Sequence, residues 1–139
     1  MKIIFSSILI LFVLISCSKK DEVKFEAFSP EAFAYDIGDS WEVNATINVQ
    51  GFEKIESGNE SSVSLNYSMD LISPAGDSTK NIFSDSKDVK EKEIDDIQLE
   101  AQFEIDYASV KGKYMLIFYI KDNNSGKTTS ARAEFELKD

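Results

Sequence analysis

Polar and apolar residues alternate one for one along much of this chain, the two-residue period of a strand with one buried face. Trp41, Val43, Ala45, Ile47 and Val49 alternate with Glu42, Asn44, Thr46 and Asn48. Val63, Leu65, Tyr67, Met69 and Leu71 do the same against Ser62, Ser64, Asn66, Ser68 and Asp70. A third run places Ile97, Leu99, Ala101, Phe103 and Ile105 on one side, with Gln98, Glu100, Gln102 and Glu104 on the other. Glu and Gln favour helix, but a helix would scatter Leu99 and Phe103 away from Ile97, Ala101 and Ile105. The pattern therefore predicts a strand.

Tyr114 to Ile120 is apolar on both faces, which predicts a central strand lying beneath a loop or a partner surface. Asp122-Asn123-Asn124-Ser125-Gly126 then turns the chain into a last alternating run through Thr129, Ala131, Ala133, Phe135 and Leu137, a hairpin with a Gly-containing loop. Weaker strands are expected at Val23–Phe28 and Asn81–Ser84. The polar stretch from Asp85 to Asp96 reads as a connection, and Pro30 and Pro74 as turn residues. About seven or eight strands without a helical partner predict an all-β fold, a single antiparallel two-sheet β-sandwich.

Gly112-Lys113-Tyr114, running into the apolar strand and closing with Asp122 to Lys127, resembles the last two strands of immunoglobulin-like domains in secreted bacterial proteins. The resemblance implies an immunoglobulin-like sandwich with Tyr114 as the corner tyrosine near the start of the penultimate strand. The disulfide of antibody domains is absent, because Cys17 is the only cysteine.

The N-terminus breaks the alternation. From Ile3 to Ile15 only Ser6 and Ser7 are polar, and Lys2 precedes the run. As a helix it would reach roughly 20 Å, short of the roughly 30 Å hydrocarbon core, so it reads as a signal h-region. Leu14-Ile15-Ser16-Cys17 resembles the lipobox of bacterial lipoproteins. An ordinary secretory signal or a short anchor helix is the alternative. The resemblance implies cleavage before Cys17 and acylation of its thiol, with two or more chains giving stable residence in the bilayer. Residues 1–16 are then the signal peptide, 17–22 a lipidated tether and 23–139 the sandwich domain. Ser18 beside Cys17 resembles outer-membrane cargo of diderm bacteria, and Lys20-Asp21-Glu22 resembles the surface-export signal of Bacteroidota lipoproteins. A solvated polar tether would look the same.

Composition narrows the chemistry. The formal charge is −10 and there is no histidine. The charge disfavours nucleic acid and anionic headgroups. Without histidine there is no Ser-His-Asp or Cys-His constellation and no His-containing zinc site. No cofactor is implied. The Asp122–Gly126 loop carries oxygen ligands that suit calcium but lacks the acids completing an EF-hand, so it reads as a hairpin tip. Acids between Asp85 and Asp96 are interleaved with Lys87, Lys90 and Lys92, the mark of a solvated edge or loop. No pair of carboxylates stands out as a glycosidase site.

Phe25, Phe28, Phe33, Tyr35 and Phe52 lie in or beside irregular segments, where aromatics stack on sugars or anchor a protein. Core packing is the default reading for each, and Trp41 is assigned to the core. Asp77-Ser78-Thr79 resembles the Bacteroidota O-glycosylation sequon, with Ser78 as acceptor. The function expected is a non-catalytic protein-interaction module in an envelope or cell-surface complex, lipid-anchored in the outer membrane and displayed at the surface. Glycan or small-ligand binding is the alternative.

Overall fold

The computed structural model describes residues 22–139; Cys17, the leader and residues 18–21 of the tether lie outside the described residues. Eight strands follow in order: β1 Glu26–Asp36, β2 Ser40–Gln50, β3 Ile55–Ser57, β4 Glu60–Ile72, β5 Ser78–Glu91, β6 Asp96–Asp106, β7 Gly112–Asp122 and β8 Thr128–Leu137. All pairings are antiparallel. One sheet runs β1-β2-β6. The other runs β5-β4-β7-β8, with the short β3 on β4 in line with β7. The chain crosses between sheets after β2, β5 and β6, the Greek-key connectivity of immunoglobulin-like sandwiches.

The alternation read from the sequence becomes the core. Trp41, Val43, Ala45, Ile47 and Val49 of β2 and Ile97, Leu99, Ala101 and Ile105 of β6 face Val63, Leu65, Tyr67 and Met69 of β4 and Leu116, Phe118 and Ile120 of β7, all buried. Ala45 and Ala101 are register partners, so the three-stranded sheet is thinnest at its middle. Tyr67 crosses beside that gap, its hydroxyl donating to the Glu100 carbonyl at 2.7 Å. Burial, with Asp85 nearby, holds its phenol above the usual range.

Tyr114 occupies the corner position: its hydroxyl donates to the Val110 carbonyl at 2.8 Å and its ring stacks on Phe135 at 5.4 Å. That bond ties the β6–β7 crossover to the five-stranded sheet.

Four readings of the sequence need correction. β1 extends from Glu26 to Asp36, well past the expected Val23–Phe28. Pro30 lies within it, at a bulge where register slips between Phe28 and Glu31 and Ser29 has φ 50°; β1 is an edge strand, where a missing N–H is tolerated. β5 continues to Glu91, through most of the stretch read as a connection. The two-faced apolar run of β7 is central in its sheet, but its outer face lies open, with Met115 and Ile117 half-buried and Tyr119 exposed. Pro74 does sit in a turn.

Candidate functional site

The sandwich has two unlike ends. One gathers residues 22–25, the loop after β2, the β5–β6 connection and the β7–β8 tip; Glu22, Phe52, Asp95 and Asn124 share a cleft there. We call it the tether end. Gly51 lies there at φ 73°, and a Cβ would overlap the Lys24 carbonyl, so only glycine lets the chain pass. The other end gathers the β1–β2 turn, the β4–β5 turn and the β6–β7 crossover. We call it the tip.

Asp122 organises the tether end. Its side chain is buried, yet it accepts from the Glu53 N–H at 2.8 Å, the Asn124 N–H at 3.0 Å and the Ser125 hydroxyl at 2.6 Å. Asn124 Nδ2 donates back to the Glu53 carbonyl at 2.8 Å. Asp122 of the loop weighed above for calcium thus gives both its oxygens to the Glu53 and Asn124 amides and the Ser125 hydroxyl, and residues 123–125 form the turn of the hairpin. Among the described residues no group of three or more acidic, His or Cys side chains is placed to hold a metal ion.

The tip is closed by stacked side chains instead. Trp41, only 4% exposed, carries Tyr107 on its face at a centroid distance of 5.8 Å and an interplanar angle of 7°. The Lys111 ammonium lies 4.2 Å from the Trp41 ring centre and 4.7 Å from that of Tyr107, cation–π contacts with both. It pairs with Asp139 at 3.5 Å but makes no hydrogen bond, and Trp41 Nε1 is buried without an acceptor.

Around this stack the surface is apolar. Ile37, Tyr107 and Val110 are exposed in the two neighbouring turns, Val110 at 64%. The Tyr107 hydroxyl reaches Asp36 at 3.4 Å, joining those turns. Phe33 and Tyr35 are exposed on β1 as it runs toward the same end. Asp36, Asp39, Glu104 and Asp106 surround the tip with negative charge.

The five candidate aromatics therefore divide. Phe33 and Tyr35 are exposed, Phe28 is half-buried at the β1 bulge, and Phe25 and Phe52 are core residues. Ser78 opens β5 and is exposed. Ile37, Tyr107 and Val110 were not singled out from the sequence. Their signal is apolar residues within turn segments, which only the pairing of β1, β2 and β6 brings together.

A second surface lies on the outer face of the five-stranded sheet, where a shallow open trough of about 780 Å³ runs across four strands. Register sets Ser84, Ser68, Tyr119 and Ser130 in one row across β5, β4, β7 and β8. Ser86, Asn66, Lys121 and Thr128 form the next row. Tyr119, 42% exposed, stands at the centre. One step further along β4, Asp70 pins a two-residue bulge in β5: it accepts from the Asn81 N–H and from Lys80 Nζ, each at 2.9 Å. Asn81 there has φ 53°. The Asn81 amide first, then Lys80 and, more weakly, the Tyr119 hydroxyl hold the Asp70 carboxyl below its ordinary range.

No family model matches the chain, and no curated protein matches it in sequence. Among solved structures, a family 123 glycoside hydrolase from Clostridium perfringens, described for glycolipid glycan hydrolysis, is similar at TM-score 0.50 and 15% identity. The match covers 78% of this chain and 22% of that one. It is a likeness of fold.

Proposed function

We propose that this chain is a lipid-anchored, non-catalytic interaction module of the outer membrane, displayed at the cell surface through acylated Cys17, whose tip docks a protein partner. The observation that carries the reading is the clustering of Ile37, Tyr107 and Val110 around a stacked Trp41, at the end opposite the tether. Contiguous apolar surface rimmed by polar residues is the usual mark of a protein contact. The tether leaves from the other end, so an anchor at Cys17 would direct the tip away from the bilayer.

The rim sets the partner's chemistry. Asp36, Asp39, Glu104 and Asp106 suit an apolar patch bordered by Lys or Arg, which would speed encounter and fix orientation more than add affinity.

Photo-cross-linking in the native envelope tests the reading. A benzophenone amino acid is placed in the full-length chain at Ile37 or Val110, with Ser125 and Asp88 as comparison positions. One discrete adduct of constant mass from the tip positions alone is expected. No adduct from the tip, or equal labelling from all four positions, would reject it. Anchoring is tested separately by incorporation of an alkyne fatty acid, which Cys17→Ser should abolish.

A further inference from the structure

We propose that the trough on the outer face of the five-stranded sheet binds an acidic oligosaccharide, a glycan carrying carboxylate or sulfate groups, with Tyr119 as its stacking platform. The site is separate from the tip and does not depend on the docking reading.

The chemistry of the lining carries the proposal. The side chains presented by the two central rows are hydroxyls and one amide, apart from Tyr119 and Lys121. Ser, Thr and Asn offer donors and acceptors at close spacing, the complement of a ring bearing several hydroxyls. They are short, so a flat ligand can come close to the sheet. Four strands span about 14 Å across the sheet at the usual inter-strand spacing, enough for a short oligosaccharide lying across the strands. At the centre Tyr119 offers an aromatic face.

Charge selects the sugar. The chain is strongly acidic overall, at −10, yet neither central row presents a carboxylate. Asp85, which borders the trough, is the register partner of buried Tyr67 and belongs to the inner-facing set of β5. Asp70, in the adjoining row, is already paired with Lys80. The cations are in place: Lys121 in the trough, and Arg132 one step along β8 from Ser130, level with Ile117 and Asp70. Two central rows without a carboxylate, holding Lys121 and flanked by Arg132 in the row where Asp70 is already paired with Lys80, favour an anionic glycan over a neutral one, with Asp85 at the border as the nearest opposing charge.

The experiment is calorimetric titration of the full chain, purified in detergent, with size-matched oligogalacturonates, chondroitin sulfate oligosaccharides, neutral malto- and cello-oligosaccharides, and a short poly-glutamate. Binding of one or both acidic sugars is expected, with neutral sugars and poly-glutamate much weaker. Tyr119→Ala should weaken the acidic sugar by about tenfold or more. Lys121→Gln should weaken it by about three- to fivefold at low salt and flatten its salt dependence. Ser84→Glu, which sets a carboxylate in the row without touching the core, should abolish binding of the acidic sugar. Each variant must keep the parent melting transition, and Ser84→Glu supplies the test should Tyr119→Ala fail to fold.

Equal or stronger binding of neutral sugars would overturn the selection by charge. Equal binding of poly-glutamate would overturn the sugar itself. Binding untouched by Tyr119→Ala and Ser84→Glu, or none to any acidic sugar, would overturn the site.

Discussion

The two ends of this sandwich are closed by opposite means. At the tether end a single buried carboxylate, Asp122, accepts three hydrogen bonds from the segments it joins. At the tip a tryptophan is covered by a tyrosine and a lysine, and two buried polar atoms, Trp41 Nε1 and Lys111 Nζ, go without hydrogen bonds. An end closed by directional bonds is complete by itself and should be stiff. Around the stacked end Ile37, Tyr107 and Val110 are left exposed to water, apolar surface of the kind a partner would use. The difference teaches that one fold can satisfy its buried polar groups at one end and leave two of them without hydrogen bonds at the other.

Substitutions at each end can break that contrast. Asp122→Ala should be the most damaging, because three donors lose their acceptor at once. A loss of about 3–4 kcal/mol is expected in urea unfolding. Should the loss stay below about 1 kcal/mol, the tether end is not held as described. Tyr107→Ala removes the stack at the tip and should cost about 1–2 kcal/mol, with a red shift in Trp41 fluorescence as water reaches the ring. Tyr114→Phe removes only the corner bond to Val110 and should cost about 1 kcal/mol.

A pH scan sharpens the picture from both sides. Burial raises both Tyr67 and Tyr114 above their ordinary value of 10.0. The unfolded chain then loses these protons first, so the stability they contribute is whole below pH 10 and drains as pH rises toward the folded values. Asp70 behaves in the opposite sense. Its folded carboxyl ionises below the ordinary 3.8, so its contribution is whole above that value and is lost as pH falls toward the folded one. Unfolding at a series of pH values should show both flanks; Tyr67→Phe should soften the alkaline one and Asp70→Asn the acid one. The smallest effect on stability belongs to Ile37→Ser and Val110→Ser, expected within about 0.5 kcal/mol of the parent, although both should abolish tip cross-linking.

How far the sequence carried the structure follows from burial. Strands β2, β4 and β6 were legible because each buries one face, and a buried face writes a two-residue period into the chain. β5 was legible only at Asn81–Ser84, since all of Ser78–Glu91 is exposed or half-buried; its outer edge meets solvent and its Asp and Lys residues carry no period. β1 was truncated in the reading because Pro30 looks like an end when it marks a bulge. The corner role of Tyr114 was implied by the resemblance of Gly112–Tyr114 and the following strand to immunoglobulin-like domains, and its bond to the Val110 carbonyl fits that place. Phe33 and Tyr35 were found by type, while Phe25 and Phe52 are the same residue types serving the core. Tyr119 was hidden inside a run that reads as doubly buried, and only pairing with Ser68 and Ser130 shows its outer neighbours to be small and polar. Outer faces escape sequence reading because no core constrains them, which is also why function can settle there.

The docking claim is tested most directly by co-purification of the full-length chain from its own envelope, comparing the parent with Val110→Glu. A stoichiometric companion should accompany the parent and be lost from the variant, while the variant's melting transition stays unchanged. Retention of the same companion by a folded Val110→Glu protein would contradict the assignment of the tip.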